Sequence, residues 1–191
     1  MKILYLMRHG ETMFNIQKRI QGWCDSPLTD NGKQQAQRVK TYFESHCIHL
    51  DHAYCSTSER ACETLELITD LPYIRFKELK EMFYGELEGE SERLNKHLTL
   101  QDCETFYLQY GGESSNEVKE RMMKTLKIIM EKENHQNVLA VSHAGACFNF
   151  LRAIQDPIEE LNKGFGNCCI FKYQYENHQF ILKRVIRLED M

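Results

Sequence analysis

Residues Lys2-Ile3-Leu4-Tyr5-Leu6-Met7, followed at once by Arg8-His9-Gly10-Glu11-Thr12, decide the fold. The first six form an almost continuous apolar run with aromatic and branched members. Such a run suits a strand buried on both faces of a parallel sheet better than a half-exposed one. Val138-Leu139-Ala140-Val141 is a second run of this kind, and Asp51–Ser56 and Tyr73–Phe76 read as two further short strands.

Between these runs the apolar residues take a helical period. Ala36, Val39 and Phe43 share a face after a Thr29-Asp30 start signal, and Ala61, Leu65 and Ile68 do so after Ser58. Val118, Met122, Leu126, Ile129 and Met130 stripe a longer helix that begins near Ser115. Segments 168–175 and 180–188, with Glu176-Asn177-His178-Gln179 between them, predict a C-terminal hairpin. Strands alternating with helices indicate an α/β fold: a mainly parallel central sheet flanked by helices and joined by right-handed crossovers. The 191 residues show no repeat, low-complexity tract or linker. A single domain over 1–191 is expected, with 82–114 as a cap-like excursion over one end of the sheet.

Apolar residues at 42% and charged residues at 27% make an ordinary globular mixture, which excludes a disordered or collagen-like chain. Twenty-four basic against 28 acidic residues leave a net charge of −4, which argues against a nucleic-acid partner. No run approaches the roughly 18 apolar residues of a membrane helix. Ile3–Met7 is also shorter than the core of a signal peptide and meets Arg8 and His9 without a small-residue cleavage pattern. The expectation is a soluble, cytoplasmic protein with no membrane partner. The eight cysteines (24, 47, 55, 62, 103, 147, 168 and 169) then read as free thiols. A homodimer stays open, because no long exposed apolar edge identifies itself.

In an open α/β sheet, ligands bind beyond the carboxyl ends of the strands. Arg8 and His9 follow the first strand, Ser56-Thr57-Ser58-Glu59-Arg60 the second, and Ser142-His143-Ala144-Gly145 the fourth, with Glu81 just past the third. Guanidiniums offer forked donors that match phosphate oxygens and stay charged at any working pH. A neutral imidazole can attack phosphorus, and a second one, protonated beside a phosphate dianion, adds a donor. A carboxyl group kept protonated can give its proton to a departing alkoxide. Together these groups make a metal-free phosphoryl-transfer site, in which positioning and charge supply most of the rate. Singly each is weak, since a lone histidine after a strand is more often structural and Glu81 stands in a charged stretch. The conjunction carries the reading, and Gly10 is expected to let the backbone approach a ligand closely.

At these residues the sequence resembles the histidine phosphatase superfamily, also called the phosphoglycerate-mutase-like fold. Residues 8–12 are similar to its signature, which implies Arg8 on phosphate and His9 as the group that becomes phosphorylated. Asn15 and the Gln21-Gly22 pair, in the 21–32 stretch, resemble its substrate loop. Arg60 matches its second arginine, Glu81 its proton donor and His143 its second histidine, and Gly111-Gly112-Glu113-Ser114 ahead of the long helix is similar too. The resemblance runs from residue 2 to about 145. It implies that His9 attacks in line while Glu81 protonates the leaving oxygen, and that water then attacks the phosphohistidine with Glu81 as base. Arg8, Arg60 and His143 would hold the phosphoryl oxygens, with Asn15 and the amides near Gly22 and Ala144 as further donors. A small phosphorylated metabolite is the implied substrate, such as a sugar phosphate or phosphoglycerate, with no cofactor and no metal.

The superfamily holds both hydrolases and cofactor-dependent mutases. By resemblance, the mutases carry a longer basic insertion after the acid residue and an Arg-His pair beside it. Here Glu81 is followed by 82–89 without that pair, and across 82–110 Arg93 and Lys96 stand against Glu86, Glu88, Glu90, Glu92, Asp102 and Glu104. A short acidic cap would repel a second phosphate, so the sequence favours hydrolysis. The mutase is the alternative, supported by Lys18 and Arg19, which could receive a carboxylate or a distal phosphate. A non-catalytic phosphate-binding module is the alternative of another class, and the presence of all five reacting and gripping residues counts against it. A cysteine phosphatase would need a longer loop than the four residues between Cys55 and Arg60 or between Cys147 and Arg152. Cys47, His49, His52 and Cys55 form a zinc candidate, but strand alternation would turn His52 and Cys55 to opposite faces. Trp23 either walls the pocket or anchors its loop.

Overall fold

A computed structural model of the chain describes residues 1–95, 99 and 101–191; Lys96, one of the two basic residues of the cap, lies outside them. The first run is strand β1 (Lys2–Arg8), and its side chains alternate between two cores. Leu4 and Leu6 enter one, Tyr5 and Met7 the other, and all four are buried. Both faces being covered is why the run shows no polar alternation. Strands β2 (His52–Ser56), β3 (Tyr73–Phe76) and β4 (Asn137–Ser142) run parallel to it, in the order β3-β2-β4-β1. Strands β5 (Ile170–Glu176) and β6 (Gln179–Ile186) extend the sheet beyond β1 as an antiparallel hairpin. Asn177 and His178 close that hairpin at φ 51° and 58°, the doubly left-handed turn whose twist suits paired strands.

Among the described residues six α-helices accompany the sheet: α1 (Met13–Gln17), α2 (Asp30–Ser45), α3 (Glu59–Ile68), α4 (Ser115–Glu131), α5 (Ala144–Arg152) and α6 (Ile158–Lys163). The stripes expected of α2 and α3 pack against Tyr5 and Met7, while that of α4, joined by Phe150 of α5, packs against Leu4 and Leu6. The result is a helix–sheet–helix sandwich, with each buried Leu, Ile or Met contributing about 1.5–3 kcal/mol. Thr29 caps α2 by accepting from the Gly32 N–H, and Ser114 with Glu117 forms a reciprocal cap at the start of α4. The short helices α1 and α6 leave no mark in the sequence pattern, because neither completes two turns and neither buries a residue. The described residues of the 82–114 excursion include four short 3-10 segments, and Leu87 and Tyr107 anchor it in the core. No helix among the described residues is long and apolar enough to cross a membrane.

Candidate active site

The ends of β1, β2 and β4 bring His9, Arg60 and His143 together. His9 is 4% exposed, and its Nδ1 lies 2.8 Å from the Gly10 carbonyl. A carbonyl only accepts, so Nδ1 carries the hydrogen and the lone pair is on Nε2. Arg60 Nε–H donates to that Nε2 at 3.2 Å, which fixes the same tautomer independently. Burial, reinforced by the Arg60 and Arg8 guanidiniums, holds His9 well below the ordinary imidazole range. At neutral pH this ring is uncharged, with its unprotonated nitrogen at Nε2.

Arg60 is 1% exposed and every donor it has is aimed. Nη2 donates to the Gly22 carbonyl at 2.8 Å and to His143 Nδ1 at 2.9 Å; Nη1 donates to the Cys24 carbonyl and to Asp25 Oδ1, both at 2.9 Å. His143 is fully buried, with its Nε2 2.7 Å from Ser56 Oγ. Since the guanidinium can only donate, His143 carries its hydrogen on Nε2. Burial, then Arg60, then His9 keep it neutral. Arg8 donates through Nη1 to the Phe165 carbonyl at 2.7 Å, and its buried Nε has no partner among the described residues.

Glu81 is 5% exposed and accepts from the Met82 N–H and the Gly145 N–H, each at 2.8 Å. Burial raises its proton affinity against the pull of those two amides, Arg60 and Arg121. A cavity of about 160 Å³ joins Arg8, His9 and Glu81 to Asn15, Gln21, Ala144 and Gly145, with Ile20, Arg19, Tyr84, Glu92 and Asn95 completing its wall. A Cβ on Gly145 would stand 2.6 Å from Glu81 Oε1, so only glycine lets the start of α5 meet this carboxyl group.

Two expectations need revision. Gly10 does not serve an approach to ligand: a Cβ there would meet the Gly32 carbonyl at 2.6 Å, so its bareness lets α2 dock on this loop. The Gly22 amide does not face the cavity; it donates to Glu88 Oε2, and the residue contributes instead through its carbonyl on Arg60. Gln21 lines the cavity, its Oε1 accepting from Thr12 and one N–H of its Nε2 donating to Ser26, which leaves a second N–H on the amide. Trp23 is an anchor: its Nε1–H donates to the Glu81 carbonyl at 3.0 Å and its ring packs on Phe83. His52 and Cys55 do fall on opposite faces, the latter in the core with its Sγ 3.4 Å from that of Cys62.

Sequence reasoning missed the residues that brace the site. Glu88 counts as repulsive charge in the acidic cap, yet its carboxylate accepts from the N–H groups of Gly22, Trp23, Cys24 and Tyr84 at 2.8–3.2 Å. It thereby holds the loop whose carbonyls hold Arg60. Arg121 of α4 donates to the carbonyls of Glu78, Lys80 and Glu81, and Glu113 orients it. Glu104 is likewise paired with Arg152. Charge counting sees none of these pairings, because each joins segments distant in the chain.

The family model described as histidine phosphatase superfamily (branch 1) matches residues 4–187. Among relatives, the adenosylcobalamin/alpha-ribazole phosphatase of Escherichia coli is 33% identical over 154 residues, 74% of this chain and 73% of that protein. The 2,3-bisphosphoglycerate-dependent phosphoglycerate mutase 2 of Gloeobacter violaceus is 32% identical over 180 residues, 85% and 78% respectively. The solved structure of Bacillus stearothermophilus YhfR superposes with a TM-score of 0.80 at 28% identity, covering 95% of each chain. The family match reaches all six strands of the sheet, and the chain belongs to branch 1 of the histidine phosphatase superfamily, whose named relatives are phosphatases and mutases.

Proposed function

We propose that the chain is a phosphomonoester hydrolase acting on small phosphorylated metabolites through a phosphohistidine on His9. The observation that carries this reading is the tautomer of His9: its Nδ1–H is bound to the Gly10 carbonyl, and its Nε2 lone pair stands among guanidiniums at the cavity floor. Nε2 attacks phosphorus, the bond from phosphorus to the ester oxygen breaks, and that oxygen takes the proton of Glu81. Water then attacks the phosphohistidine and gives its proton to Glu81, the P–N bond breaks, and inorganic phosphate and neutral His9 remain. Arg8 and Arg60 neutralise the phosphoryl oxygens. The dianion opposes the burial that keeps His143 neutral, so bound substrate favours a proton taken from solvent on its Nδ1, with Arg60 Nη2 turning from that nitrogen to a phosphoryl oxygen.

Hydrolysis is favoured over phosphoryl return because Glu92 lines the cavity, where its charge opposes the second phosphoryl group of a doubly phosphorylated intermediate. Arg19, which lines the same cavity, supports the mutase as second reading. Eight free thiols support a reducing, cytoplasmic setting. The test is an aryl phosphate incubated with wild type and with His9→Ala, with and without a chelator. The expected result is chelator-insensitive phosphate release that falls about 10⁴-fold or more in the variant, and a labelled phosphoryl group trapped on His9. A label on another side chain overturns the reading. With 3-phosphoglycerate, free phosphate is expected; predominant 2-phosphoglycerate would establish the mutase.

A further inference from the structure

Asn15 lines the cavity beside His9, and a primary amide can present either a donor or an acceptor there. Which end faces inward is settled by groups with no such choice. The Thr12 backbone N–H, which can only donate, lies 3.2 Å from Asn15 Oδ1. A second donor reaches the same oxygen from the far end of the chain: Asn167 Nδ2, at 3.0 Å. The orientation of Asn167 is itself settled, because its Nδ2 also lies 3.2 Å from the His9 carbonyl, which can only accept. One N–H of Asn167 thus goes to His9 and the other to Asn15. Both lone pairs of Asn15 Oδ1 are then occupied, and its Nδ2 is the end left for the cavity.

We infer that Asn167 is a positioning residue: it locks the Asn15 amide with its donor toward the phosphoryl group and ties that amide to the backbone of His9. The inference rests on the proposed role of Asn15 at the phosphoryl site and names a residue outside the stretch that carries the sequence resemblance. Asn167 sits in the turn after α6, where Phe165 accepts from Arg8 and the Cys168 N–H donates to the His9 carbonyl at 3.2 Å. One C-terminal turn therefore touches the backbone or side chain of Arg8, His9 and Asn15. A group that only orients a donor used equally in ground state and transition state alters KM and leaves kcat nearly unchanged.

The test is a double-mutant cycle of Asn15→Ala and Asn167→Ala, read as kcat and KM for an aryl phosphate and as inhibition by inorganic phosphate. In the otherwise wild-type protein, Asn167→Ala is expected to raise KM and the phosphate inhibition constant about fivefold, with kcat changed less than twofold. With Asn15 already alanine, the same substitution is expected to change them less than twofold. Equal factors in both backgrounds overturn the inference, since Asn167 would then act through His9 or through general stability. An Asn15→Ala enzyme indistinguishable from wild type, beside an inactive His9→Ala, overturns it by removing the role of Asn15 while leaving the hydrolase reading intact. Asn167→Ser, polar but too short to span both acceptors, repeats the cycle if the alanine variant does not fold.

Discussion

Strand β4 has a histidine pair at each end, and the two pairs differ in everything except residue type. At its carboxyl end, His143 and His9 lie 5.2 Å apart at 62°, Arg60 donates to both rings, and His9 lines a cavity. At its amino end, His135 and His52 stack at 3.6 Å and 15°. The second pair belongs to a closed chain of donors. Lys132 donates to Tyr54 Oη, Tyr54 to His135 Nε2, His135 to Asn134 Oδ1, Asn134 to His52 Nε2, and His52 to Asp51. Burial depresses the proton affinity of His135 as it does that of His9 and His143. Depressed affinity therefore does not mark the site. The distinguishing feature is a buried ring that lines a cavity beside a guanidinium and a carboxyl group, those of Arg8 and Glu81.

Making the same substitution at both ends tests this distinction, and the largest effect is expected at the carboxyl end. His143→Gln removes the ring that receives Arg60 Nη2 and, in the proposed mechanism, a donor to the phosphoryl oxygens. The loss of one such donor costs about 10²–10³ in kcat. Steady-state kinetics on an aryl phosphate with unchanged circular dichroism would show it; a loss under tenfold would mean that His143 is packing alone.

Glu88 sharpens the contrast from within the site, because it acts through the 22–24 loop without lining the cavity. Glu88→Ala leaves four N–H groups without their acceptor, and Arg60 loses the rigidity of its carbonyl partners. A fall in kcat/KM of about tenfold is expected, consistent with the 1.5–3 kcal/mol typical of hydrogen bonds to a charged group. Formate, which fits a cradle of N–H groups, should restore part of it. Activity unmoved by either change would detach Glu88 from Arg60.

The central residues of the candidate site are legible in the sequence because strand ends announce themselves: a buried run stops, and the next side chains stand at the rim. Arg8, His9, Arg60, Glu81 and His143 are all reachable this way. The bracing is not. Asn167 and Glu88 approach from segments with no periodicity, and their roles depend on which amide end or carboxylate oxygen meets a backbone group. The core stripes of α2, α3 and α4 are readable for the same reason that α1 and α6 are not: length. A 3.6-residue period needs at least two turns to show.

The smallest effect on turnover, and the one that separates the two ends most cleanly, is expected at His135. In the folded chain its proton affinity drops to about 4, through burial and then the neighbouring charge of His52 and Lys132, against an ordinary value near 6.5. Between those values the unfolded chain holds the extra proton, so stability is complete above about pH 6.5 and falls as pH drops toward 4, where the folded ring also protonates and the loss levels off. A gap of that size is worth up to about 3 kcal/mol, or roughly 6–12 °C in melting midpoint. His135→Gln retains a polar side chain without a titrating ring. Its melting midpoint should fall less steeply than that of wild type across this window, while kcat/KM at pH 7 stays within twofold. Parallel melting curves for the two proteins, or a tenfold loss of activity, would show that the amino-end pair is not the purely structural counterpart of the carboxyl-end pair.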